Sequence, residues 1–206
     1  MDTGFLDSNV LANWMLLDAQ IRLGPVSASK LLNRLVKQKP SYLLLERVRK
    51  DNKLKGILST SGFAFAEVIS VLFEQYIQTR MYNQGIPLKY WERERRRERL
   101  SLADRTDMAQ QIRHLQKEFF DIEDMRIAYV DDDYRFDDVV RLITYHRIDQ
   151  YDAILLSTAV GSGCDYFITE DMRLRESLPK FERNRHEAVG MISPQRYLGL
   201  IDKKQK

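Results

Sequence analysis

Phe5-Leu6, Arg126 to Val130, Asp165 to Thr169 and Ala188 to Ile192 are short strand-like runs, and segments long enough for helices lie between them. Strands separated by helices imply a largely parallel sheet with helices on both faces. An α/β fold with a mainly parallel central sheet is therefore expected. In such a sheet ligands bind outside the carboxyl ends of the strands, where strand order reverses.

The intervening segments carry helical signals. Val10 to Ile21 predicts a helix that Gly24-Pro25 breaks. Ser27 precedes Leu31, Leu32, Leu35 and Val36, spaced for one helical face that Lys39-Pro40 should stop. Tyr42 to Val48 reads as a further short helix before the polar stretch Arg49 to Lys55. Thr60-Ser61-Gly62 offers a cap for a long helix from Phe63 to about Tyr82, apolar over most of its circumference and so expected to be central. Ser101 leads another helix, in which Met108, Ile112, Leu115, Phe119 and Ile122 form a narrow stripe suited to one docking surface. Helices are also expected from Phe136 to Tyr145, from Asp152 to near Gly161 and from Pro194 onward.

At 206 residues with 44% hydrophobic content, the chain is long enough for one enlarged domain, 1–206, with a charged helical insertion at about 85–125. A formal charge of +3 is the small remainder of 33 basic and 30 acidic side chains, so their distribution decides more than their total. The single cysteine, Cys164, excludes an intramolecular disulfide and a cysteine-based zinc site, and a buried packing role is expected for it. No secretory signal is visible, and Gly62 to Phe73 is too short to span a bilayer and contains Glu67. A cytoplasmic protein with no membrane partner is the expectation.

Four acidic residues interrupt this apolar pattern. Asp7 closes Gly4-Phe5-Leu6, Glu67 breaks Phe63 to Phe73, Asp152 opens Ala153 to Val160, and Asp171 follows Tyr166 to Thr169. A carboxylate beside a core is costly unless a cation or a set of donors satisfies it. If the four converge, a hard divalent cation is the natural occupant, and oxygen ligands without a Cys or His cluster select magnesium or manganese. His114, His146 and His186 are scattered and read as surface or packing residues. Taken singly, Asp7 also suits a turn, Asp152 a helix cap and Asp171 a cap for the next turn. Glu170 reads as a residue facing solvent, and Asp131-Asp132-Asp133 as a solvated loop.

Phe5-Leu6-Asp7-Ser8-Asn9-Val10-Leu11, Glu67 in an apolar helix, Asp152-Ala153 with Ala159 downstream, and Ile168-Thr169-Glu170-Asp171 resemble the PIN-domain ribonucleases, including VapC-type toxins. Ile192-Ser193-Pro194 through Leu198 is similar to the closing strand and helix of that family. The resemblance implies a three-layer α/β/α PIN-like fold with additional inserted helices. It implies Mg2+ or Mn2+ held by catalytic Asp7, Glu67, Asp152 and Asp171, with Asn9 and Thr169 in support. It further implies a metal-dependent endoribonuclease acting on single-stranded or looped RNA, and raises a toxin–antitoxin setting with an antitoxin-like protein inhibitor. The chain departs from compact VapC-type sequences in length, with sixty residues from Asp7 to Glu67 and eighty-five from Glu67 to Asp152.

The run Lys89 to Arg99 sets Arg93, Arg95, Arg96, Arg97 and Arg99 among Tyr90, Trp91 and three glutamates. Arginine beside aromatic residues suits phosphates and unpaired bases, and interleaved acids suit a solvated helical face. Nucleic-acid contact, a solvated helix and a protein interface all stay open for it. Against the nuclease reading stand a catalytically silent PIN-like module that binds RNA or protein, and a structural protein that forms a homodimer through the Met108 to Ile122 stripe.

Overall fold

The structure, a computed structural model, describes residues 2–23, 38–184 and 187–204. Among these residues six strands, β1 (Gly4–Leu6), β2 (Leu58–Ser61), β3 (Ile127–Val130), β4 (Tyr166–Ile168), β5 (Lys180–Glu182) and β6 (Ala188–Ile192), form one sheet in the order β3-β2-β1-β4-β6-β5. Every neighbouring pair is parallel except β5 with β6. From β1 the chain adds β2 and β3 on one side, then crosses to the other side for β4, β6 and β5. Strand order therefore reverses between β1 and β4.

Helices cover both faces: α1 (Ser8–Leu23), α2 (Lys39–Lys50), α3 (Gly62–Asn83), α4 (Trp91–Glu94), α5 (Leu102–Phe119), α6 (Phe136–His146), α7 (Gln150–Gly161), α8 (Met172–Ser177) and α9 (Pro194–Lys204). Successive strand residues point to opposite faces, and the core divides accordingly. Leu6, Ile168 and Ile192 join Trp14, Leu45, Leu72, Phe119 and Tyr197 in one apolar cluster. Phe5, Phe167 and Met191 join Leu142, Leu156, Leu174 and Phe181 in the other. The expected α/β class with a mainly parallel sheet is what the chain forms, and no helix among the described residues is long and apolar enough to cross a membrane.

Several local expectations are corrected. The central strand β2 has no sequence signal, because Leu-Ser-Thr-Ser is fully buried yet three of its four side chains are hydroxyls. Those hydroxyls find partners inside: Ser59 lies 3.2 Å from the Cys164 sulfur, Thr60 donates to the Leu6 carbonyl at 3.3 Å, and Ser61 caps α3 by accepting the Ala64 amide at 3.4 Å. Cys164 is buried, as expected. Pro40 lies in the first turn of α2, where no intrahelical donor is required of it. The helix expected around Leu31 to Val36 falls outside the described residues, as does His186. Strand β5 has little sequence signal either, being three residues whose two charged side chains flank the inward Phe181.

Helix α3 spans the expected residues but is not enclosed. It buries one stripe, Ala64, Val68, Leu72, Ile77 and Met81, while Phe73 and Tyr82 face solvent. The stripe on α5 is spent inside the same chain: Leu115 and Phe119 are fully buried, with the Phe119 ring edge-on to Trp14 at 4.7 Å. Ile122 lies beyond the helix end and is exposed. That stripe is not free to form a homodimer.

Candidate functional site

The reversal between β1 and β4 opens a crevice at the carboxyl ends of those strands, and the residues that follow them meet there. The Asp7 amide donates to the Ile168 carbonyl at 3.0 Å, so the ladder carries one step past β1 and turns the side chain of Asp7 into the crevice. Asp7 is 1% exposed. Thr169, just past β4, donates its hydroxyl to Asp7 Oδ2 at 2.6 Å; Ser8 donates to Oδ1 at 3.1 Å, and Asn9 to Oδ2 at 3.4 Å. Burial raises the Asp7 carboxyl above its ordinary range, and these three side chains oppose the rise.

The Thr169 hydroxyl also accepts the Asp171 amide at 2.9 Å. Asp171 caps α8: the amides of Arg173 and Leu174 both donate to its Oδ1, at 2.7 and 3.1 Å. Its Oδ2 takes no hydrogen bond among the described residues. The capping role therefore occupies one oxygen and leaves the other without a hydrogen bond among the described residues. Glu170 does not simply face solvent, since Ser41 of α2 donates to it at 2.7 Å across 129 residues. Arg175 donates to the Thr169 carbonyl at 2.5 Å and fixes the strand end from the other direction.

Glu67 and Asp152 enter from helices. Glu67 lies in the second turn of α3 with Oε2 buried and without a hydrogen-bond partner. Its carboxyl is pushed up, by burial first, with the Ser8 hydroxyl opposing and the charges of Asp7 and Asp149 adding to the rise. Asp152 is the third residue of α7 and is not its cap; Asp149 fills that role and accepts the Tyr151 amide at 3.0 Å. Burial raises Asp152 to about 7, and the charges of Asp7, Glu67, Asp171 and Asp149 all act in the same direction. Four sequence-distant acids thus share one electrostatic neighbourhood. Asp149, whose only sequence cue was proximity to Asp152, is a fifth that sequence reasoning missed.

The donor chemistry suits a hard divalent cation: carboxylate oxygens with a buried orphan among them and mutual repulsion that a cation would relieve. As the side chains stand, however, no group of three or more His, Cys, Asp or Glu among the described residues is arranged to hold a metal ion.

The other sequence candidates lie elsewhere. His114 is a packing residue, stacked on Trp14 with its Nε2 3.0 Å from Asp18, and His146 is exposed. Asp132 is exposed but not merely solvated, because both its oxygens accept the Phe63 amide at 3.1 Å and so cap α3 from outside. The arginine run neither forms one continuous helix nor reaches the acids. After α4 it turns back, with Arg97 N bonded to the Glu94 carbonyl, and Glu98 pairs with Arg80 at the far end of α3. Arg80 is thirteen residues from Glu67, about 20 Å along a helix. Arg93 and Arg97 pair with Glu94, Arg95 leans on Glu74 at 3.4 Å, and Arg99 donates to the carbonyls of Arg96 and Glu98.

No protein-family model matches the chain. A protein of Archaeoglobus fulgidus described as an "Uncharacterized protein" is 32% identical over 101 residues, which span 48% of this chain and 83% of the archaeal one. The chain belongs to the same family as that archaeal protein.

Proposed function

We propose that the protein is a PIN-like, metal-dependent endoribonuclease that hydrolyses RNA phosphodiester bonds. The observation that carries this reading is the shared neighbourhood of Asp7, Glu67, Asp152 and Asp171, brought by two strand ends and two helices to the point where strand order reverses. Asp7, Glu67, Asp152 and Asp171 would hold Mg2+ or Mn2+, which when bound lowers the pKa of a water and neutralises charge on the leaving oxygen. The chain's own residues do the rest. Thr169, Ser8 and Asn9 hold Asp7 in one orientation. Asp171 keeps Oδ1 on the α8 amides, which leaves Oδ2 without a hydrogen bond among the described residues. Asp152 joins them at the start of α7, where burial and the neighbouring carboxylates hold its own carboxyl above the ordinary range until a cation offsets their charge.

Purified protein incubated with single-stranded RNA should cleave internally with magnesium or manganese and stop with a chelator. Equal cleavage after rigorous metal removal would reject the mechanism. A second reading, a silent PIN-like module that binds RNA or protein, is favoured by the placement of the carboxylates, no three of which are arranged to hold an ion among the described residues. Binding without cleavage across many RNAs would select it. An antitoxin-like inhibitor remains a proposal tied to the nuclease reading.

A further inference from the structure

A cavity of about 460 Å³ adjoins the acids, and Glu67 lines it. Its lining includes the rings of Phe63 and Tyr151, stacked with centroids 5.6 Å apart and planes 29° from parallel. Both rings are fixed to the candidate site by sequence. Phe63 lies four residues before Glu67 on α3, one helical turn away on the same face, and Tyr151 immediately precedes Asp152 on α7. Tyr151 is 48% exposed, so about half of this side chain is open to solvent next to Asp152.

The remaining wall narrows what could occupy this place. Ala66 and Val71 are apolar, while Glu67 and Glu74 make it acidic as long as no cation is bound, which disfavours a phosphate inside the cavity itself and accepts a neutral flat group there. The side-chain amides of Gln75 and Gln78 make no hydrogen bond among the described residues and can meet the polar edge of such a group. Gln78 also lines a second cavity of about 350 Å³ with Trp91 and Arg95. The trough along α3 therefore runs about 22 Å from Phe63 to Gln78 and ends at a run with three more basic than acidic residues. Cations at one end and a ring platform at the other match the backbone and bases of a single strand.

We propose that Phe63 and Tyr151 form a stacking platform for one unpaired RNA base, which positions the adjoining phosphodiester beside Glu67 and Asp152 and makes the protein select single-stranded over duplex RNA. The proposal rests on the nuclease reading for its consequence, though not for its binding test. A duplex base is already stacked on its neighbours and cannot use the platform.

The test is binding of a short RNA carrying 2-aminopurine at successive positions, as a single strand and as a duplex, in chelator so that no cleavage intervenes. Wild type should quench the fluorophore at one position and bind the single strand at least tenfold more tightly. Tyr151→Ala should weaken binding roughly 5- to 150-fold, the range for loss of one base–aromatic stack, and Tyr151→Phe should restore it to within about twofold. Tyr151→Leu keeps apolar bulk without a π-face, and its loss of affinity should match that of Tyr151→Ala. Affinity unchanged in Tyr151→Ala, affinity retained in Tyr151→Leu, or absence of RNA binding would overturn the platform. Quenching and binding without cleavage in magnesium would sink the nuclease reading and leave the platform standing. Cleavage by wild type with full affinity in Tyr151→Ala would do the reverse.

Discussion

Thr169 Oγ1 lies 2.6 Å from Asp7 Oδ2 across 162 residues of sequence, and this hydroxyl joins the ends of β1 and β4. The same oxygen receives the Asp171 amide, so one threonine sets the spacing of two candidate acids. Removing it takes the shortest of three side-chain donors from a buried carboxyl. Thr169→Val should lower stability by about 1–3 kcal/mol, the cost of leaving a charged or polar buried group without its partner, whereas Thr169→Ser should retain most of it. Denaturant melts of the two variants check this; equal loss in both would assign the effect to packing of the methyl group.

Asp152 gives a pH dependence of defined sign. Its folded value of about 7 lies above its ordinary 3.8, so between those values the folded state holds a proton that the unfolded state has released. This contribution is fully present below pH 4 and is lost as pH rises through 7. In chelator, the melting temperature of Asp152→Asn relative to wild type should therefore rise steadily from pH 4 to pH 8. A difference that stays constant over that range would mean that neither burial nor the acidic neighbours perturb Asp152.

Glu67 is half-buried beside like charges with its buried Oε2 unpartnered, an arrangement that favours function over stability. Glu67→Gln should raise metal-free stability by about 0.5–2 kcal/mol, the gain common when such a compromise is relieved, and should abolish cleavage. Magnesium should raise the melting temperature of wild type but not of this variant. Lower stability in chelator together with an undiminished magnesium response would make Glu67 a structural residue.

Asp171 combines two roles that different substitutions separate. Asparagine is as good a helix cap as aspartate, so Asp171→Asn should leave stability within about 0.5 kcal/mol while activity collapses; Asp171→Ala should in addition lose about 1 kcal/mol. Loss of stability without loss of activity in the alanine variant would reduce Asp171 to a cap.

The arginine run is predicted to contribute through phosphate binding alone. Replacing Arg95, Arg96, Arg97 and Arg99 by Gln should weaken RNA binding and flatten its salt dependence by about 0.7 in logarithmic slope for each phosphate that these arginines neutralise. An unchanged slope would return the run to a solvated, self-paired surface.

The alternation of strand-like and helix-length segments was enough to give the α/β class, the parallel sheet and most helix positions, because hydrophobic periodicity and Ser, Asp and Pro at helix starts act locally. Asp7, Glu67, Asp152 and Asp171 were legible for a related reason: each sits where an apolar run would otherwise continue. What the sequence did not determine was anything that depended on a distant partner. β2 carries hydroxyls that become acceptable in a core only once Gly4, Leu6 and Cys164 surround them. Asp132 became a cap for α3 only when β3 lay beside β2. The arginine run could not be located relative to the acids until α3 fixed the distance between them. The pairing of Phe63 with Tyr151, eighty-eight residues apart, likewise has no local signal, since it exists only because the strand order reverses at β1 and brings the first turns of α3 and α7 to one crevice.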